Sequence, residues 1–534
     1  MAQETLDAVI VGAGFSGLYM LHKLRGQGLS ARVYEAGAGV GGTWFWNRYP
    51  GARVDIESQE YSYTFDDGLA DEWEWSERYA SQPELLRYLN HVADRFDLRK
   101  DIQLETRVES AAFDESANRW RVKTDKGADI SAKFVVMATG CLSVPQELKF
   151  DGAESFKGAS YRTSSWPHEG VDFTGKRVGV IGTGSSAIQS IPEIARQAAH
   201  VTVFQRTPNY SVPAHNAPTT KEQLADWRAN RKRYREEAML QGFGVRQIDG
   251  QERSALDATP EERQAAYEDR WARGGFSLGG AFADIVVTKE ANDTAAAFVA
   301  GKIKSIVKDP ATAELLTPKT YPLFTKRLCV DTGYYDTFNR DNVSLVDVSA
   351  DPIQAITPDG LRTAKQAYAF DAIVYAIGFD AMTGALNKID ITGRGGVKLK
   401  DQWAEGPRAH LGLMVAGFPN MFIVTGPGSP SVLCNMALAI EQHVEWIADC
   451  IAYMGARQIG AIEATAQAQD AWVAHVNDAA NMTLYPQANS WYMGANIPGK
   501  PRVFMPYIGG FPLYKQACDA AASADYEGFA LTRS

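Results

Sequence analysis

Two glycine fingerprints carry the chemistry open to this sequence. The first is Asp7-Ala8-Val9-Ile10-Val11-Gly12-Ala13-Gly14-Phe15-Ser16-Gly17, and the second is Lys176-Arg177-Val178-Gly179-Val180-Ile181-Gly182-Thr183-Gly184-Ser185-Ser186-Ala187. In the first, Gly12 permits a tight turn, Gly14 lets the backbone approach a pyrophosphate, and Gly17 lets the next helix pack on the strand before it. The N–H groups that open this helix, at Phe15 and Ser16, point at phosphates. A second strand, Ala31 to Tyr34, ends at Glu35, about 20 residues on, where a carboxylate accepts a ribose 2′-OH and repels a 2′-phosphate. This half is expected to hold FAD or NAD rather than NADP. The second turn offers Gly182, Thr183, Gly184, Ser185 and Ser186, with Ala187 in place of the third glycine. Its next strand, His200 to Phe204, runs into Gln205-Arg206-Thr207 with no acid. An arginine and a hydroxyl suit a 2′-phosphate, so this half is expected to prefer NADPH. A chain with two dinucleotide sites moves electrons between cofactors, which points to a redox enzyme.

The elements that position these turns follow from apolar spacing. Ala8–Val11 and Val178–Ile181 read as buried parallel strands. The helix after Gly14 puts Leu18, Leu21 and Leu24 on one face and ends near Gly26 and Gly28. Pro192 is expected to kink the helix after the second turn. Residues 220–240, 260–273 and 288–307 have helical spacing, and strands return at Val343–Val346 and Ala372–Ala376. The class is α/β, with two Rossmann-like domains and a helical insertion in the second. The expected boundaries are 1–141 and 379–534 for the FAD domain, 142–212 and 323–378 for the NADP domain, and 213–322 for the insertion.

A chain of 534 residues exceeds one core. Its net charge of −10 and lack of a basic block argue against nucleic acid. No apolar stretch reaches the ~18 residues of a membrane span. The short segment before the first strand leaves no room for a secretory signal. Cys141, Cys329, Cys434, Cys450 and Cys518 are scattered, so neither a disulfide framework, a redox cysteine pair nor a metal site is expected. The expectation is a reduced cytoplasmic monomer.

Phe156, Gly158, Arg162, Trp166 and Pro167 lie just before the second fingerprint. Their segment resembles the FxGxxxHxxxW(P/D) signature of type I Baeyer–Villiger monooxygenases. Residues 41–52, 55–58, 325–328 and 491–496 are similar to the same family, closest to its phenylacetone and cyclohexanone monooxygenase branch. The resemblance implies FAD and NADPH as cofactors, and O₂ and a hydrophobic ketone as substrates. The reaction it implies gives an ester or lactone through a C4a-peroxyflavin and a Criegee-type adduct, with sulfoxidation as a side activity. It makes Arg327 the catalytic cation and Asp55 the acid that positions it. It places Arg206, Thr207 and Lys326 on the 2′-phosphate, and Trp491 on a mobile loop beside the nicotinamide. Gly42, Thr43, Trp44 and Tyr61 fall around the flavin, while Ser431, Val432, Leu433, Cys434 and Met436 line the substrate pocket.

One position departs from the signature: Arg162 stands where the family has histidine. Arginine is always cationic and longer, whereas histidine is neutral or switchable near pH 7. Two readings stay open, tolerated drift or altered coupling of NADPH oxidation to oxygenation. The rival functions are an N- or S-oxygenating flavin monooxygenase, and an uncoupled NADPH oxidase or flavoprotein sensor.

Overall fold

The computed structural model describes residues 4–533. Glu4–Val11 pairs in parallel with Ala31–Tyr34 on one side and Asp129–Met137 on the other. Its apolar run is continuous because both faces are covered. Ala8 and Ile10 face one core, with Leu18, Leu21 and Leu24 of the helix Phe15–Gly26. Val9 and Val11 face the other, with Trp120, Val415 and Phe418. The antiparallel strands Val108–Asp114 and Arg119–Thr124 extend this sheet. Two late strands complete it: Asp390–Thr392 pairs with Val108–Asp114, and Met421–Ile423 with Asp129–Met137.

The second sheet is parallel throughout, in the order Val343–Asp347, His200–Gln205, Arg177–Ile181, Ala372–Tyr375 and Ala159–Arg162. The segment carrying Arg162 is therefore its edge strand. Pro192 lies within the helix Ser185–Gln197, which continues past it.

The helices Lys221–Leu240, Pro260–Arg273 and Lys289–Ile306 lie between the strands of this sheet in sequence. Thr220 with Gln223, and Thr259 with Glu262, form capping boxes that satisfy the first N–H groups of two of them. A buried charge cluster holds the first of these helices to the long helix Met436–Ala456. Glu441 accepts from Arg235, from Thr64 N at 2.5 Å, from Thr64 Oγ1 at 2.7 Å and from Phe65 N at 3.1 Å. The helix Met436–Ala456 is buried along most of its length and packs on Phe15–Gly26. Among the described residues no helix is long and apolar enough to cross a membrane.

Candidate active site

Each glycine turn sits against a small residue at a neighbouring strand end. A Cβ on Gly12 would lie 2.6 Å from the Ala138 carbonyl, and one on Gly182 would lie 2.4 Å from that of Ala376. Both glycines have positive φ, +104° and +113°. A Cβ on Gly17 would meet the Gly12 carbonyl at 1.8 Å, so only glycine lets this helix start here. Gly14 approaches Gly42, beside Thr43 and Trp44.

The helices starting at Phe15 and Ser185 have no capping side chain and no acid in the first turn. Their bare N–H groups are donors for phosphate oxygens. Glu35 is 5% exposed and accepts from Ala13 N and Gly37 N, both at 2.7 Å, leaving acceptor capacity on both oxygens. Trp44 Nε1 is buried with no partner in the protein, and its ring packs edge-on to Tyr61. This donor and acceptor set fits a flavin dinucleotide.

At the second turn, Thr183 Oγ1 donates to the Thr207 carbonyl at 2.9 Å. Arg206 and Lys326 lie close enough to repel, and neither has a carboxylate partner among the described residues. Burial, then Arg206, holds the Lys326 amine below its ordinary value, and its Nζ lies 4.6 Å from the centre of the Tyr321 ring. Two unneutralised cations at a strand end suit a bound phosphate ester.

Arg327 is where the tertiary structure converges. Its Nε and Nη2 donate to Asp55 Oδ2 at 3.1 and 2.8 Å, and its Nη1 donates to the Val432 carbonyl at 2.7 Å. The guanidinium lies 4.7 Å from the Phe276 ring, and the Tyr492 phenol lies near enough to feel its charge. Burial favours losing the charge, but Asp55 and Tyr492 together outweigh it and hold the guanidinium above its ordinary value. Burial pushes the Tyr492 phenol up to about 12. The parallel strands Ser211–Pro213 and Cys329–Asp331 fix the segment that carries this arginine.

The other expected residues divide. Val432 and Leu433 join Cys141, Tyr492 and Met493 in one apolar cluster, with Met436 and Trp491 at its edge. Cys434 faces a different cluster, with Ala238, Leu438 and Phe511. Ser431 turns inward, its hydroxyl reaching the Thr425 carbonyl and Met382 Sδ. The 491–500 loop is anchored on residues 379–381 by Asn496 and Lys500. In the signature segment, Phe156 shields Gly158, and Trp166 packs on Tyr161 and Phe173 ahead of Pro167. Arg162 opposes Tyr375 and has no carboxylate partner among the described residues.

Phe276, Tyr492 as an arginine partner, and the Val432 carbonyl as an acceptor were not legible beforehand. Tyr492 adjoins Trp491 in a recognised segment, but spacing does not say which ring meets the guanidinium.

Glu60, beside Tyr61, is another such residue. It accepts from Arg246 N at 3.1 Å, and burial with the nearby Glu57 pushes its carboxyl up from 4.5 to about 7. Between those values the folded protein holds a proton that the unfolded chain has released, so stability falls as pH rises through that window. Glu60→Gln is expected to flatten this fall, read as urea midpoints at about pH 5 and about pH 7.5. An equal pH dependence in both proteins would contradict it.

The pyridine nucleotide-disulphide oxidoreductase model matches residues 9–308. A Baeyer–Villiger monooxygenase of Pseudooceanicola batsensis is 45% identical over 99% of this chain and 96% of its own length. Among solved structures, oxidized steroid monooxygenase bound to NADP is similar with a TM-score of 0.96 and 52% identity, covering 99% of this chain and 100% of that one. OTEMO in complex with FAD and NADP has a TM-score of 0.96 and 41% identity, with the same coverage. With this identity spread along nearly its whole length, the chain belongs to the Baeyer–Villiger monooxygenase family.

Proposed function

We propose that this protein is an NADPH- and O₂-dependent flavoprotein monooxygenase that converts hydrophobic ketones to esters or lactones. The observation that carries the reading is the half-buried Arg327, held by Asp55 and the Val432 carbonyl beside Tyr492 and an apolar cluster. Bound FAD, reduced by NADPH, supplies the activation of O₂. The first glycine turn and Glu35 hold its pyrophosphate and ribose. Thr207, Arg206 and Lys326 hold the 2′-phosphate of NADPH. Arg327 stabilises the negative charge that develops on the ketone oxygen and keeps a neighbouring oxygen nucleophile deprotonated. Asp55 fixes the orientation of the guanidinium. Trp491, Tyr492 and Met493 exclude water. Residues 1–141 with 379–534, 142–212 with 323–378, and 213–322 serve as the FAD domain, the NADP domain and the insertion, a division supported by which sheet each strand joins. Five free, buried cysteines suit the reducing cytoplasm.

The test is to reduce the FAD-loaded protein with NADPH without oxygen, then mix it with O₂ with and without phenylacetone. Ester formed in proportion to NADPH supports the reading and makes Arg162 a tolerated change. Hydrogen peroxide alone, whatever the ketone, overturns it in favour of an uncoupled oxidase. Arg206→Ala is expected to lower the preference for NADPH over NADH by about 10- to 100-fold, from the roughly 1.5–3 kcal/mol of a charge-assisted hydrogen bond. An unchanged ratio of kcat/KM values would remove Arg206 from the phosphate site.

A further inference from the structure

His443, on the helix Met436–Ala456, is completely buried, and the reaction does not use it. Its Nδ1 accepts from the Thr425 backbone N–H at 2.9 Å, so that nitrogen carries no hydrogen. The neutral ring therefore donates from Nε2, and its partner is the Tyr514 hydroxyl at 2.8 Å. Tyr514, on the helix Phe511–Ser523, donates in turn to the Leu411 carbonyl at 2.7 Å. Every hydrogen in this chain has one acceptor. A second proton on the ring would set two N–H groups against each other at Thr425. Burial pushes the imidazole down to about 3, in keeping with a neutral ring.

Both ends of the chain act on strained backbone. Leu411 and Thr425 have φ of +55° and +56°, and Ser431 has +44°. A branched residue such as Thr425 adopts this region only where surrounding contacts hold it. The Thr425 hydroxyl is not the holder, since Oγ1 is buried without a partner. What holds it is its N–H on His443 and its carbonyl, which accepts from Ser431 Oγ at 3.2 Å. The next residue, Val432, presents the carbonyl that accepts from Arg327. One hydrogen-bonded path thus runs from Tyr514 through His443, the strained 425–431 turn and Val432 to the guanidinium.

We propose that His443 and Tyr514 are positioning residues that hold the 425–432 turn in its strained form and so set the orientation of Arg327 for oxygen transfer to the ketone. This rests on the reading of Arg327 given above.

The test compares His443→Leu, His443→Asn and Tyr514→Phe in the FAD-loaded protein. Asn places an acceptor near Nδ1, whereas Leu does not. Expected in His443→Leu and Tyr514→Phe is a fall of about tenfold in ester formed per NADPH, while flavin reduction by NADPH stays within about twofold. The visible circular dichroism of bound FAD shifts in both. His443→Asn, which restores the acceptor for Thr425 but not the link to Tyr514, recovers part of the ester yield and moves the spectrum toward that of the parent. The proposal is overturned if reduction and oxygenation fall together, if Asn is no better than Leu, or if all three variants match the parent. If His443→Leu does not fold, Tyr514→Phe decides alone by the same split. A parent that forms no ester fails the functional reading and this inference together. A parent that forms ester, with variants equal to it, fails this inference only.

Discussion

Arg327→Ala is expected to lower ketone oxygenation by about 10³-fold, the upper end of what losing one oxyanion-stabilising donor costs. NADPH should still reduce the flavin, because Arg206 and Lys326 are untouched. Electrons that reach O₂ would then leave as hydrogen peroxide. Arg327→Lys should recover only a small part of the rate. Lysine keeps a charge, but it cannot donate to Asp55 and the Val432 carbonyl in the planar geometry seen here, nor stack on Phe276 in the same way. The measurement is ester and peroxide per NADPH consumed, alongside the anaerobic rate of flavin reduction. A variant that keeps ester yield within tenfold of the parent would remove Arg327 from the chemistry. Equal loss of reduction and oxygenation would make its role structural.

Glu441→Ala is expected to destabilise the fold by about 3–5 kcal/mol, the usual cost of breaking a buried ion pair from one side. Glu441 is 2% exposed, and its loss strands Arg235 together with the N–H groups of Thr64 and Phe65. Burial raises the Glu441 carboxyl above its ordinary value, with Arg235 and Thr64 opposing, so the carboxylate depends on these partners. Glu441→Gln should cost less, since an amide oxygen still accepts from one or two of the donors. Urea unfolding of both variants gives the comparison. A loss under about 1 kcal/mol in the alanine variant would mean that the site relaxes and admits water. Because Arg235 lies on the insertion and Glu441 on the helix that packs against the first glycine helix, the loss should also loosen the insertion, read as faster amide exchange in 221–240.

The cofactor turns were legible in the sequence because their chemistry is local. Gly12, Gly17 and Gly182 are demanded by positive φ or by a backbone contact within one strand–turn–helix unit, so residue type and spacing suffice. The same holds for Glu35 and Arg206, each at the end of the strand that follows its own turn. The insertion helices were legible from periodicity. Asp55 and Arg327 were found only through similarity to a known family. No local signal ties residues 272 positions apart in the chain.

Other features belong to the tertiary structure alone. Cys434 and Leu433 are neighbours in sequence but face different clusters, because the turn entering the helix Met436–Ala456 splits their directions. Ser431 reads as a pocket residue, yet it spends its hydroxyl on the Thr425 carbonyl. Neither Tyr492 nor His443 carries a mark in the sequence. The tyrosine matters because a loop anchored by Asn496 and Lys500 brings it to Arg327, and the histidine because two helices close around it. By itself the sequence determined what short-range backbone geometry requires, namely two glycine turns that each open a helix, and the helices between them. Only the packed chain decided what surrounds Arg327, because charge, burial and hydrogen bonding there come from segments that meet when the sheets and the insertion pack together.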